Sequence, residues 1–164
     1  MEIERKYAIQ AMPFDLEKYH MKKIEQGYLC YNPILRIRKS NEMYYLTYKS
    51  KSNISKKKRG DPIIREEVEL PLNMEAFEKL KKKIDGNIIY KTRYLIPLKE
   101  GFTVELDVFG EQLSGLIFAE VEFPDEKTAN EFRPPAWLGK DLSSDRRFSN
   151  HYLSKISCYE ELGL

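Results

Sequence analysis

Charged residues in this chain recur two apart and sorted by sign: Glu2 and Glu4 ahead of Lys6, Arg36 with Arg38, Glu67 with Glu69, Lys91 with Arg93, Glu105 with Asp107, and Glu120 with Glu122. A spacing of two puts both members of a pair on the same face of a β-strand. A face that meets water accounts for any single pair, and that is the ordinary reading of one charged strand. It does not account for the sorting. Like charges two apart repel unless opposite charges, metal ions or a polyanion lie across from them. Paired carboxylates suit Mg2+ or Mn2+, which take few protein oxygens and complete their shell with water or substrate phosphate. Arginine forks and lysine ammonium groups suit phosphate oxygens. Both kinds facing one interior point to metal-assisted chemistry on a chain of phosphates, where cations offset charge on the nonbridging and leaving oxygens. With no glycine-rich phosphate loop in the chain, such a site is built from side chains.

The elements that must position these residues are mostly strands. Period-two alternation runs through residues 2–7, 26–29, 35–38, 45–49, 65–70, 90–96, 104–108 and 120–123, which makes about eight strands, a number typical of a small closed barrel. One face of each would line the interior while the apolar face packs against helices. Helical spacing is rarer. Asn73 is placed to cap a helix carrying Met74, Phe77, Leu80 and Ile84, with Lys81, Lys82 and Lys83 at its C-terminal end. Weaker helical patterns cover Phe14 to Lys23 and Asp125 to Phe132, and Asn150 to Glu160 reads as a C-terminal helix docked by Tyr152, Leu153 and Ile156. Ser50 to Pro62, with Lys56, Lys57, Lys58 and Arg59, has the composition of a solvated loop, which could also draw an anion toward a tunnel mouth.

Composition bounds the function. The 164 residues fit one domain, 1–164, and 33% charged against 41% hydrophobic residues leaves more charge than the surface needs, so some of it faces inward. A net charge of +2 argues against a basic nucleic-acid binder, so no nucleic-acid partner is expected. No apolar run approaches the roughly 18 residues of a membrane span, and Glu2 and Glu4 stand where a signal peptide carries basic residues. A soluble cytoplasmic protein without a membrane partner is expected. Cys30 and Cys158 are far apart, and His20 and His151 each sit in a helix-like polar segment, so neither a thiol or histidine metal site nor a Ser-His-Asp triad is expected. No apolar stripe marks an oligomer interface, and a homodimer stays open.

Glu2-Ile3-Glu4-Arg5-Lys6 is an E-x-E-x-K motif, and with it the chain resembles the CYTH superfamily, the triphosphate tunnel metalloenzymes, in their short bacterial form. The likeness extends through Ile24 to Leu29, Arg36-Ile37-Arg38, Leu46 to Lys49, Arg65 to Glu69, Lys91 to Tyr94, Glu105 to Phe109, Gly115 to Glu122, Trp137-Leu138-Gly139 and Asp145 to Asn150. The resemblance implies an α+β fold, an eight-stranded antiparallel closed β-barrel with flanking helices, that binds a triphosphate with Mg2+ or Mn2+. It implies metal binding by Glu2, Glu4, Glu120 and Glu122. It implies phosphate binding by Lys6, Arg36, Arg38, Lys49, Lys91, Arg93 and Arg147, and further tunnel acids at Glu67, Glu69, Glu105 and Asp107.

Tyr28 matches a tyrosine proposed as a proton acceptor in some bacterial members, although an unperturbed phenol titrates near 10 and is a poor base at neutral pH. Its other reading is an aromatic packed in the barrel wall. Lys6 is the second catalytic candidate, as a group that orients water. Phe148 replaces a tyrosine found in relatives, Arg146 reads as solvent-facing, and Arg65 could pair with tunnel acids. The expected activity is metal-dependent hydrolysis of a small triphosphate, above all inorganic tripolyphosphate. A class IV-type adenylate cyclase, a thiamine triphosphatase and a noncatalytic polyphosphate- or nucleotide-binding module are the alternatives.

Overall fold

The structure, a computed structural model, describes residues 2–12, 15–50 and 62–163. Its strands are β1 (Glu2–Ile9), β2 (His20–Tyr31), β3 (Ile34–Ser40), β4 (Met43–Lys49), β5 (Ile63–Arg65), β6 (Glu67–Leu72), β7 (Asp85–Pro97), β8 (Thr103–Phe109), β9 (Ile117–Glu122) and β10 (Leu138–Asp141). The helices are α1 (Met74–Lys81), α2 (Glu126–Glu131) and α3 (Asn150–Leu153). The pairings are antiparallel and run in the order β10-β1-β9-β8-β7-β2-β3-β4-β6, with β5 joined to β1 off that path. The α+β class, mainly antiparallel sheet with few helices, stands.

The eight-stranded closed barrel is corrected: among the described residues the ladder is no uninterrupted ring, and ten strands take part. The expected strand over 65–70 divides at Glu66. Residues before it pair with β1, and those after it pair with β4. The other addition, β10, reads Leu-Gly-Lys-Asp, too short to show alternation, and meets β1 at Tyr7 and Ile9. The sheet nevertheless curls back on itself. Lys49 on β4 and Glu2 on β1, near opposite ends of the path, form an ion pair at 2.7 Å.

Alternation sorts the strand faces. On the outer face Ile3, Tyr7, Val104, Leu106, Val121 and Phe123 are buried together with Ala129 of α2, and Phe132 packs against them. Burial of each such side chain is worth about 2 kcal/mol. Asp125 starts α2 by accepting a hydrogen bond from the Thr128 amide at 2.7 Å. Arg5 is buried on this face too, donating to the Ala129 carbonyl at 2.6 Å, to Asp141 at 2.9 Å and to Asn130 at 2.7 Å. It therefore staples α2 and β10 to β1. Elsewhere α1 begins at its Asn73 cap and buries Phe77 against Tyr44.

The second cluster lies on the inner face. Tyr28, Ile89, Phe109 and Phe118 come from the strands, and Leu142, Phe148, Leu153, Ile156 and Leu162 from the C-terminal stretch cover them. The hollow of the curled sheet therefore has an apolar floor.

Two helical expectations fail. Phe14 lies outside the described residues, Leu16–Lys18 is a single 3-10 turn capped by Asp15, and His20 already begins β2, opposite Leu95. The open edge of β7 offers that stretch a complete ladder, which outweighs its weak helical pattern. At the C-terminus α3 ends at Leu153, because the Ser154 carbonyl accepts from the Asn87 amide at 2.7 Å and the Ile156 carbonyl from the Asn87 side chain at 3.0 Å. Docking on β7 replaces the helical ladder there. The Lys56 to Arg59 run lies outside the described residues. Among the described residues no helix is long and apolar enough to cross a membrane.

Candidate active site

Strand register gathers the charged pairs on the inner face. Glu4 stands opposite Glu122 and Lys6 opposite Glu120 across β1 and β9, while Glu105 faces Glu120 across β8 and β9. Arg93 faces Asp107 across β7 and β8. Arg38 faces Gln26, and Arg36 stands between Tyr28 and Thr47. Thr47 and Lys49 then face Glu69 and Glu67 on β6. Opposed side chains in such ladders lie close enough to interact directly.

Two levels result. In the deeper one Lys6, Arg36, Lys91, Arg93, Asp107 and Glu120 are all buried. Asp107, fully enclosed, accepts from Arg93 Nε at 2.7 Å and Nη2 at 2.8 Å and also from Lys91. Glu120 accepts from Arg93 Nη2 at 2.6 Å and from Lys6 Nζ, and Arg93 Nη1 reaches Glu105. Lys6 Nζ stands 5.4 Å from the Phe118 ring centroid, and Lys91 Nζ stands 5.4 Å from that of Phe109. The cations rest directly on the apolar floor. At the rim, Lys49 lies between Glu2 at 2.7 Å and Glu67 at 2.9 Å, Glu69 accepts from Thr47 Oγ1 at 3.3 Å, and Glu122 is exposed.

The electrostatics separate the levels. Burial and the adjacent Arg36 and Arg93 push Arg38 down to about 10. Burial brings Lys91 to about 8, although Asp107 opposes this, since Arg93 shares that carboxylate and repels the ammonium. Burial would raise Asp107, Glu120 and Glu67, but neighbouring cations hold them low: Arg93 and Lys91 for Asp107, Lys6 and Arg93 for Glu120, Lys49 for Glu67. Glu122 moves the other way: though its side chain reaches solvent, the surrounding wall partly desolvates it, and that desolvation together with Glu2, Glu105, Glu4 and Glu67 raises it. Burial also raises the Tyr28 phenol, against the pull of Arg36, Arg38 and Lys6.

These features show what the hollow is short of. Arg36 Nε is buried with no hydrogen-bond partner among the described residues, a donor that suits an anion oxygen. At the rim, carboxylates crowd one another. Among the described residues no three aspartates, glutamates, histidines or cysteines converge into a ready cage for a cation. Mg2+ needs only one or two carboxylates when substrate phosphates supply the rest, so the opposed Glu4 and Glu122 fit such an ion.

Most of the expected residues are thus brought together: Glu2, Glu4, Lys6, Tyr28, Arg36, Arg38, Lys49, Glu67, Glu69, Lys91, Arg93, Glu105, Asp107, Glu120 and Glu122 share the inner face. Glu120 is engaged by Lys6 and Arg93, an environment of cations unlike that of Glu122. Arg147 is elsewhere, which corrects its reading as a phosphate ligand: it donates to Asp145 at 2.8 Å and to the Leu162 carbonyl at 2.7 Å. Asp145, the cap of the 3-10 turn at Arg146–Phe148, captures it locally. Arg146 is exposed as expected. Arg65 stands on β5 opposite Glu2, and its side chain is outside the described set. Gln26 and Thr47, fully buried and bonded to Arg38 and Arg36, escaped sequence reasoning. Their signal was the period of two that puts them in step with Tyr28 and Lys49.

A CYTH domain family model matches residues 1–149. The chain is 36% identical to an inorganic triphosphatase of Nitrosomonas europaea, covering 93% of this chain and 96% of the relative. It is 34% identical to an inorganic triphosphatase of Acetivibrio thermocellus, covering 94% and 93%. Among solved structures it is similar to the crystal structure of the inorganic triphosphatase NE1496, with a TM-score of 0.69 at 33% identity over 96% of this chain and 97% of the other.

Proposed function

Because the chain belongs to the CYTH domain family, we propose that it is a metal-dependent triphosphatase that splits inorganic tripolyphosphate into pyrophosphate and phosphate. The observation that carries this reading is Arg36, a buried guanidinium whose Nε has no acceptor among the described residues, beside Arg38. Relatives named inorganic triphosphatase over nearly the whole chain support it. In this reading β5 and β6 together flank the hollow between β1 and β4, the chain acts as one domain, and the enzyme works in the cytoplasm.

Arg36, Arg38, Lys91 and Arg93 donate to the nonbridging oxygens of the deeper phosphates, and Lys49 to those nearer the rim. Asp107 and Glu120 hold Lys91, Arg93 and Lys6 in place. Glu4 and Glu122, with Glu2 beside them, would hold Mg2+ or Mn2+. When bound, the ion supplies positive charge to the phosphate oxygens and to the attacking water. Lys6, fixed by Glu120, steers the attacking water or a nonbridging oxygen on the phosphorus that it attacks. Tyr28 stays a phenol at neutral pH, so it serves as a hydrogen-bond donor at the inner end of the substrate and not as a base. The water oxygen bonds to phosphorus as the bond from that phosphorus to the bridging oxygen breaks; the bridging oxygen leaves with the other fragment, and the water's proton passes to solvent. Positioning and fixed charge supply most of the rate.

The test incubates purified protein with tripolyphosphate, ATP or thiamine triphosphate, each with Mg2+, with Mn2+ or with EDTA, and resolves the products. The expected result is metal-dependent release of phosphate and pyrophosphate in equal amounts from tripolyphosphate, faster than from the other two. Cyclic AMP with pyrophosphate from ATP would identify a cyclase, and binding without turnover would identify a noncatalytic module. Either result overturns the proposal.

A further inference from the structure

Tyr28 sits where charge meets floor. Its ring belongs to the apolar cluster, while its hydroxyl lies 3.5 Å from Gln26 Nε2, which donates to it. Beside it Tyr31 lies stacked, with centroids 5.4 Å apart and planes 20° apart, and His151 of α3 stacks on Tyr31 at 4.1 Å and 21°. Lys155 Nζ stands 4.3 Å from the Tyr31 centroid and is ion-paired with Asp85 at 2.9 Å. The Tyr31 hydroxyl donates to the Asp85 carbonyl and lies 3.0 Å from Ser154 Oγ.

This joint is closely fitted. Gly86 adopts a φ of +87°, and a Cβ there would come within 2.6 Å of the Ser154 carbonyl oxygen and 2.9 Å of the Tyr31 hydroxyl. Only glycine meets both demands. Tyr31 is therefore held on its ring and at its hydroxyl by the C-terminal turn and the start of β7. Its other aromatic neighbour is Tyr28, whose hydroxyl accepts from Gln26, the side chain that in turn accepts from Arg38.

We propose that Tyr31 is a positioning residue for Tyr28, fixing the ring plane, and so the hydroxyl direction, through a column of rings anchored at His151. It makes no contact with substrate itself. The proposal rests on the reading of Tyr28 given above and extends it to a residue outside the charged face. An off-aim hydroxyl weakens the transition state more than capture of the polyanion, which the guanidinium and ammonium groups carry out.

The experiment compares Tyr31→Leu, Tyr31→Phe, Tyr28→Phe and the Tyr28→Phe/Tyr31→Leu double variant in tripolyphosphate hydrolysis. Tyr31→Leu should lower kcat about tenfold with KM moving less than about twofold. Tyr31→Phe, which keeps the ring, should restore most of kcat. In the Tyr28→Phe background Tyr31→Leu should cost nothing further, since the group it aims is gone. Equal losses in both backgrounds, or a loss confined to KM, overturn the proposal. A readout independent of turnover is the NMR signal of Tyr28 in protein carrying tyrosine labelled at Cζ, assigned by its disappearance in Tyr28→Phe. Tyr31→Leu should shift it, and an unmoved signal overturns the proposal as well. Wild-type protein that fails to split tripolyphosphate would refute the triphosphatase reading alone, because this signal still reports on the column.

Discussion

Asp107→Asn gives the sharpest test of the charge arrangement. The native carboxylate is fully buried and accepts from Arg93 twice and from Lys91. The amide keeps the shape, loses the charge and turns a donor toward the two cations. Removing one partner of a buried ion pair costs about 3–5 kcal/mol. Glu120 and Glu105 still hold Arg93, so a value near 4 kcal/mol is reasonable for this site. In a chain of this length each 1 kcal/mol moves Tm by about 2–4 °C, which predicts a fall of about 8–16 °C. Tripolyphosphate added in EDTA, where turnover stops, should restore roughly half of the loss, because the polyanion supplies the missing countercharge. Calorimetry of both proteins with and without ligand measures the two effects. An unchanged Tm, or the same ligand-induced rise in both proteins, would refute the claim that these cations depend on a countercharge within the hollow.

Glu122→Gln removes one of the crowded rim carboxylates and should raise the Mg2+ or Mn2+ concentration for half-maximal hydrolysis by about tenfold or more. An unchanged metal titration would rule Glu122 out as a ligand. Lys91 yields a pH prediction with a definite sign. Its folded value is about 8 against 10.5 for the ordinary side chain, so between those values the unfolded chain binds more protons and stability from this group rises with pH. Relative to Lys91→Met, the wild-type unfolding free energy should climb by about 3 kcal/mol from pH 8 to pH 10.5. A flat difference, read by urea unfolding at each pH, contradicts the assignment.

Much of the site was legible because alternation and sign sorting are local properties. Glu2, Glu4 and Lys6, or Arg36 and Arg38, share a face whatever their partners are. The identity of the partners was not legible, since it depends on register between strands far apart in the chain. Only the ladder shows that Lys6 meets Glu120, and that Arg93 draws Glu120 into a basic surrounding while Glu122 stays among acids. Arg147 differs: its partner Asp145 is two residues away, and the sequence did not show that a 3-10 turn folds the two together. The fold followed the same division. The capped helices at Asn73 and Asp125 carried their own signals, whereas the splitting of a strand at Glu66 and the docking of Ser154 and Ile156 on Asn87 were decided by distant neighbours.

The ring-lined floor beneath Lys6 and Lys91 has a consequence for traffic. Phe109, Phe118 and Phe148 pack there in one buried apolar cluster, so in the proposed reaction a charged fragment moving past Lys6 and Lys91 would enter apolar packing, which is costly. Return past the rim, where Lys49 offsets Glu2 and Glu67, is the cheaper exit for both products.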